Sequence, residues 1–358
     1  MCVAAKAAPF MAIGDNAELF VTASANVQFD SNIYLDPSNE KKDTIFSFTP
    51  GLDLVFGKGS ATSGDVFFRD EIRRYSKNDV QNTTLPNFGA HSAYSNGVTK
   101  ADFNVSYMAL AQNDNDVNPI GTIVQRDLTN VSAKTEFGLT EKTSLGVGVA
   151  FDRTHYDSTA YSDSNVWSLP VDLYYQANPK LDWSLGYRYR SSALSGNGQD
   201  STDNFLSIGA RGEFTPKLTG QVRLGYTMRS FDVGADQNLF GVDGNLTYLF
   251  SEKTTLHLTF GNDFGSSGTG ASTKNSSLGL NVSTHMTEQW FLNAGVNYRK
   301  TEYATRTDDY TEGQLGVTYV YNNNINFGAS LTLRNNSSDL AVAEFSQNVF
   351  SLGANIRY

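Results

Sequence analysis

The chain has 358 residues, a formal net charge of −10 at neutral pH and one cysteine, Cys2. The acidic balance argues against a general nucleic-acid binder, and one cysteine allows no intrachain disulfide. No apolar run approaches the ~18 residues of a membrane helix and mean hydropathy is negative, but a transmembrane β-barrel passes such a test because its lipid-facing and lumen-facing residues alternate and average out.

The N-terminus, Met1 to Pro9, is too short for a whole signal peptide, but the small residues Ala5 and Ala7 are like the tail of one. Residues 1–17 are therefore expected to be an N-terminal segment left from a signal peptide, and residues 18–358 a single domain. The first strand spans about Glu18–Asp30, where Leu19, Val21, Ala23, Ala25, Val27 and Phe29 alternate with Phe20, Thr22, Ser24, Asn26 and Gln28. That is a period of two. A polar loop, 36–43, leads to a strand with Phe46, Phe48, Leu52, Leu54 and Phe56 on one face. The turn 57–60 follows, then a strand over about Ala61–Tyr75.

The pattern then repeats, faintly over Pro86–Asn96 and plainly elsewhere. Rows such as Phe103/Val105/Tyr107, Leu145/Val147/Val149/Phe151 and Trp167/Leu169/Val171/Leu173/Tyr175 continue it. So do Leu181/Trp183/Leu185/Tyr187/Tyr189, Leu256/Leu258/Phe260/Phe264 and Ile325/Phe327/Ala329/Leu331/Leu333. Short links, such as Asn178-Pro179-Lys180 and Thr215-Pro216-Lys217, alternate with longer Asp/Asn/Ser/Gly loops at Gln112–Gln125, Ser191–Asp203, Gly265–Asn275 and Asn335–Ala343.

Alternating short and long links fit an all-β, up-and-down antiparallel transmembrane barrel of about eighteen strands, with both termini on the periplasmic side. Each strand supplies the ~9–11 residues needed to cross. A soluble sandwich would show less regular links, and a propeller would repeat in fours. Aromatics near strand ends (Phe56, Trp167, Tyr175, Trp183, Phe250, Trp290, Tyr321, Tyr358) suit interfacial girdles. The last strand, Val349–Tyr358, carries Phe350, Leu352, Ala354, Ile356 and Tyr358 on one face and stops on an aromatic. Such an ending resembles the assembly signal of bacterial outer-membrane barrels, which implies the barrel-assembly machinery as a partner. Closure of the barrel requires this strand to pair with Glu18–Asp30.

A family resemblance rests on Phe29-Asp30-Ser31-Asn32-Ile33-Tyr34, the charged loop ending at Asp43, and Phe48-Thr49-Pro50-Gly51-Leu52, within about Leu19–Phe56. This stretch resembles the start of the second "putative" β-barrel porin family of bacterial outer-membrane proteins. The resemblance implies an outer-membrane address among lipid and lipopolysaccharide, and an association with polysaccharide export components. It carries over no catalytic residues.

If the apolar rows face lipid, the others face the lumen. Arg69 and Arg73 lie on the third strand. Asp102, Glu136, Asp152 and Asp172 form an acidic sector opposed by Lys134. Arg188, Arg190, Arg211, Arg223 and Arg229 form a basic one against Asp182 and Glu213, and Arg299 stands further on. Two uses are open. The sectors could set a transverse field that sorts ions, with the arginine ladder meeting carboxylate, phosphate or sulfate on a solute. Alternatively they are cross-strand ion pairs that hold register, each contributing about 0.2–1 kcal/mol.

Enzyme chemistry finds less support. His257 and His285 point inward on neighbouring strands, without an evident third metal ligand. His155 lies on the lipid-facing row without a serine partner, which an outer-membrane hydrolase would need. Residues 265–270 lack the lysine and helix of a phosphate loop. No cofactor or metal is expected. The leading expectation is a porin-like outer-membrane channel for small polar or anionic solutes or for polysaccharide export. A non-conducting barrel with a structural or adhesive role is the alternative, and a hydrolase comes third.

Overall fold

The computed structural model describes residues 8–114, 116–117, 121–196 and 198–358. Cys2, and Ala5 and Ala7, on which the signal-peptide expectation rests, lie outside the described residues. A short strand β1 (Met11–Ile13) precedes β2 (Ala17–Asp30), β3 (Asp43–Phe56), β4 (Thr62–Tyr75), β5 (Thr83–Ser95), β6 (Thr99–Ala111), β7 (Gln125–Gly138), β8 (Thr143–Tyr156), β9 (Ser164–Asn178) and β10 (Leu181–Leu194). There follow β11 (Ser201–Thr215), β12 (Leu218–Phe231), β13 (Gln237–Leu249), β14 (Thr254–Ser266), β15 (Ser272–His285), β16 (Trp290–Glu302), β17 (Thr307–Val320), β18 (Ile325–Ser338) and β19 (Phe345–Arg357).

From β2 to β19 each strand pairs antiparallel with the next. β19 then pairs with β2, from Val349↔Asp30 to Arg357↔Thr22, and closes the sheet. This is the closure expected from the C-terminal pattern, and the eighteen long strands match the expected number. Closure is a physical requirement here, because an open edge in lipid would strand backbone donors and acceptors. β1 is an addition. It pairs with β2 as Met11↔Leu19, Ala12↔Glu18 and Ile13↔Ala17, covering the part of β2 that β19 does not reach.

The apolar rows are exposed on the outside, for example Leu185, Leu206, Ile208, Leu224, Leu280, Val296 and Leu352. A globular core of that composition would be buried, so this surface is built for lipid. At the short-turn end Tyr175, Trp183, Phe250, Trp290, Tyr321 and Tyr358 are all exposed, as an interfacial aromatic belt requires. The turns there are tight. At Gly57, φ is +73° and a Cβ would stand 2.0 Å from the Thr62 carbonyl oxygen, so the turn needs glycine.

The opposite end differs from expectation. Three stretches read as long loops are about half strand: β10 runs to Leu194 and β11 starts at Ser201, β14 runs to Ser266 and β15 starts at Ser272, and β18 runs to Ser338. Outward positions near this rim are polar, among them Lys274, Lys300 and Asp309. The wall therefore rises above the apolar band with both faces wet, and wet strands lose their hydrophobic alternation. The long links among the described residues are 31–42 and the one from β6 to β7. Phe264, placed with the lipid-facing row, is instead buried with the Arg229 guanidinium 4.7 Å from its ring centre.

Candidate functional site

Each of the twelve charged candidates falls on the strand face opposite the exposed apolar row. They do not stand as two facing fields. The Arg211 guanidinium donates to both Glu136 carboxylate oxygens at 2.8 and 2.7 Å and stacks 3.3 Å from the Tyr174 ring centre. Arg211 also meets Asp182 at 3.1 Å. Arg188 meets Asp263 at 2.8 Å, Arg190 bridges Asp203 and Asp263, and Arg223 meets Asp243 at 3.1 Å. Arg229 donates to Asp203 at 2.7 and 2.9 Å, both side chains only 1% exposed. Arg69 pairs with Asp53 at 2.7 Å, and Arg73 with Glu71. Arg299 lies over the Tyr310 ring. Asp102 is 2.8 Å from His91 Nε2, Asp152 accepts from Asn130, and Asp172 is buried.

The arginine ladder is thus committed to carboxylates of the same chain, three of which, Asp203, Asp243 and Asp263, were missed in the sequence. Glu213, counted against the ladder, pairs instead with Lys180 at the turn. Three of the pairs join strands four apart, one from β7 to β11 and two from β10 to β14. Across a circular eighteen-strand barrel such strands would stand on the order of 20 Å apart, beyond the reach of arginine and a carboxylate. The wall over β7–β14 therefore bends inward, and Tyr174, Phe205 and Arg229 fill the space behind it.

The other side of the lumen is open and carries few charges. Along β14–β19 and β2, most interior positions in the short-turn half are Asn, Gln, Ser, Thr, His or Gly, His257, Asn281, Ser283, Asn293, Gln314, Ser330, Thr332, Ser351, Asn355 and Ser24 among them. Phe291, Val320 and Phe20 interrupt the polar row, and its charges, Glu18 and Arg357, lie at the short-turn end, with Arg357 3.7 Å from Asp53 and over the Phe20 ring. A cavity of about 820 Å³ lies against this wall. A second, of about 220 Å³, lies under the mouth between Asp30, Arg73, Tyr75, Asn113, Arg334 and Gln347. Thr332 lines both. His257 and His285 share the larger cavity but not a position: His257 faces Asn281 across the ladder and His285 faces Phe291. No cluster able to hold a metal ion occurs among the described residues.

The two long loops fold over the mouth. Asn113 Nδ2 donates to the Tyr34 carbonyl at 3.0 Å, and Gly121 N–H to Asp36 Oδ1 at 3.3 Å. Ile33, Tyr34, Ile45 and Tyr75 pack as a small core that Ile123 joins. Asp116 reaches across to the far rim, where Tyr303 OH donates to one carboxylate oxygen at 2.8 Å and Gly268 N–H to the other at 2.8 Å. Val117 beside it is fully buried. Burial, with the Asp114 charge beside it, pushes the Asp116 carboxyl above the ordinary carboxylate range, against those two hydrogen bonds.

Arg334, Gln347 and Asp30 form the upper chamber's main network. Arg334 donates to Glu312 at 2.8 Å and to Gln347 at 3.0 Å, and Gln347 donates to Asp30 at 2.8 Å. The alternation that put Leu331 and Leu333 outward also put Arg334 inward. A search for runs of like charge passes over it.

Residues 189–358 match the model of the family described as "Putative beta-barrel porin 2". The stretch Leu19–Phe56, on which the sequence resemblance was drawn, lies outside that match. Among solved structures the chain is similar to a BenF-like porin from Pseudomonas fluorescens Pf-5, at 11% identity over 97% of this chain and 100% of that one, with a TM-score of 0.54. It is also similar to Pseudomonas aeruginosa OccK2 (OpdF) in complex with glucuronate, at 8% identity over 95% and 98% of the two chains and a TM-score of 0.52. Pseudomonas aeruginosa OpdK with vanillate matches at 9% identity over 97% and 100%, with a TM-score of 0.50. These likenesses establish the closed porin-type barrel. No curated protein matches the chain.

Proposed function

We propose that this chain is a porin-like channel of the bacterial outer membrane that passes small polar solutes. One observation carries the reading: a lipid-faced closed barrel has a polar inner wall, with two cavities that share Thr332. A barrel that served only as a membrane anchor would have no need of an open wet side. The short turns and both termini face the periplasm in this reading, and the tall polar rim faces outward. Two neighbours were solved with the carboxylates glucuronate and vanillate. Transfer of that solute class finds little support here, because the arginines already hold carboxylates of the chain itself. No catalytic step is proposed. His155 is paired with Asp163 at 2.7 Å on the outer rim.

The test is conductance of purified, folded protein in planar bilayers. Discrete steps with weak cation preference are expected, since the lumen's arginines are neutralised and the chain is net acidic. The fold of the loops over the mouth favours one second reading, a barrel shut at rest. Steps that arise only after the contact of Asp116 with Tyr303 is cut would select it. Folded protein that never conducts, with or without that contact, would end the channel reading.

A further inference from the structure

We infer that the carboxamide- and hydroxyl-rich wall over β14–β18 is a binding surface for neutral polyhydroxylated solutes, sugars or polyols, and this rests on the channel reading. The larger cavity, about 820 Å³, falls in the ~300–1,000 Å³ range of small-molecule sites. Its polar lining is mostly carboxamides, hydroxyls and imidazoles, with the oppositely charged neighbours Glu252 and Lys253 at the turn: Asn281, Ser283, Asn293, Gln314, Thr332 and His257 carry the case.

Three arguments converge on that class. A carboxamide offers two donors and an acceptor with two lone pairs, and a hydroxyl offers one donor and two lone pairs. A solute whose hydroxyls both give and accept can exchange its water for such a wall at little net cost, whereas a bare charge cannot. The groups are also oriented in advance. Ser283 donates to Asn293 Oδ1 at 2.8 Å, and Asn355 to Asn326 Oδ1 at 2.8 Å, which leaves the Asn293 amide hydrogens for a ligand. Finally, the His285 ring, set edge-on to Phe291 at 4.6 Å, gives a face at the vestibule rim for the C–H side of a sugar ring. Anions meet the opposite condition: Asp65 and Asp102 flank His91 across the lumen, and the arginines are paired. Many weak contacts along a wall, rather than one tight site, are what a conduit requires.

The test uses the folded full-length barrel, a neutral disaccharide, and gluconate as an anionic comparison. In bilayers the disaccharide is expected to interrupt the potassium chloride current at concentrations where gluconate does not. In the double variant Asn281→Leu/Asn293→Leu the half-blocking concentration should rise about tenfold, the effect of losing a few solute hydrogen bonds. Saturation-transfer NMR with the same disaccharide on the detergent-solubilised barrel reads the wall whether or not the pore conducts. Heat-modifiable mobility checks that the variant is folded. Absence of current together with saturation transfer that the double variant loses would overturn the channel reading and leave the binding surface standing. Absence of saturation transfer to the native barrel, equal block by gluconate, or a variant that binds as the native chain does would overturn the inference.

Discussion

Tyr358 and Val21 exchange both of their backbone hydrogen bonds: Tyr358 N–H donates to the Val21 carbonyl at 2.9 Å, and Val21 N–H to the Tyr358 carbonyl at 2.7 Å. The last residue of the chain is thus the last rung of the seam. Below it β1 takes over the edge of β2, and Phe10 sets its ring edge-on to Tyr358 at 6.4 Å. The seam is covered on the side where an unpaired edge would otherwise meet the interface.

Deleting Tyr358 removes two backbone hydrogen bonds and the Phe10 contact at once. The folded barrel recovered from membranes should fall several-fold while synthesis and secretion continue. Heat-modifiable mobility of membrane fractions measures it. If the insertion machinery reads the C-terminal row, Tyr358→Phe should restore most of the folded band, because it keeps the ring and the backbone. Equal bands from the deletion and the native chain would remove the assembly-signal reading of Phe350, Leu352, Ala354, Ile356 and Tyr358.

Strand number, closure and facing were legible because each depends on a local period and on the rule that barrel edges must pair. Even the faint strand around Pro86 exists, as Thr83–Ser95. What was not legible is non-local. Glu136 and Arg211 meet at 2.7 Å, although 75 positions separate them and they lie on strands that are not neighbours. No spacing rule reports such a pair. Asp116 looked like one more acid in a polar loop, and its partners Tyr303 and Gly268 come from two other loops. β1 has three residues, too few to show a period.

The Arg229–Asp203 pair makes a stability prediction. Both side chains are buried, and Arg229 also donates to the Gly265 carbonyl at 2.9 Å and to Ser272 Oγ at 2.9 Å. Removing one partner leaves a buried charge uncompensated, which costs about 3–5 kcal/mol, while replacing both with apolar groups is often neutral. Asp203→Leu, which leaves the buried Arg229 without a carboxylate, should therefore lower the urea midpoint of the folded barrel strongly, whereas Arg229→Leu leaves Asp203 paired with Arg190 and should cost less. Arg229→Leu/Asp203→Leu should recover most of the loss, since Arg190 keeps Asp263 as a partner. A double variant as unstable as Asp203→Leu would show that the contacts of Arg229 to Gly265 and Ser272 matter more than the charge pair.

Facing can be checked directly. Spin labels at Leu185, Val222 and Leu280 should report lipid, and labels at Arg223 and Asn281 water. Asn281 is the sharper site, because it lines the cavity and makes no part of the ion-pair network. Lipid accessibility at Asn281 with water at Leu280 would invert the whole register, since a one-residue slip moves every side chain to the other face.

The latch at Asp116 gives a pH dependence whose direction follows from its raised carboxyl. In the released loop the carboxyl has its ordinary value, near 3.8. Below that value Asp116 is neutral in both states, and the latched state is at its most favourable. As pH climbs through the ordinary value the released loop ionises first, so the latch loses ground until the buried carboxyl ionises as well. The groups that face it are Tyr303 OH and Gly268 N–H, which stabilise the charge, the Asp114 carboxylate, which opposes it, and Arg299, which favours it. Burial outweighs the bonds. Open probability should therefore rise as pH climbs above the ordinary carboxyl value and level off once the raised value is passed. Asp116→Asn cannot ionise, so its current should stay low and flat across that window. Tyr303→Phe removes one hydrogen bond to the charged form, so its rise should begin at the same pH but extend further before levelling off. A current that falls with rising pH, or an Asp116→Asn channel that keeps the native slope, would place the pH sensor elsewhere. The latch would then be a fixed part of the rim, held by the packing of Val117 rather than by the charge beside it.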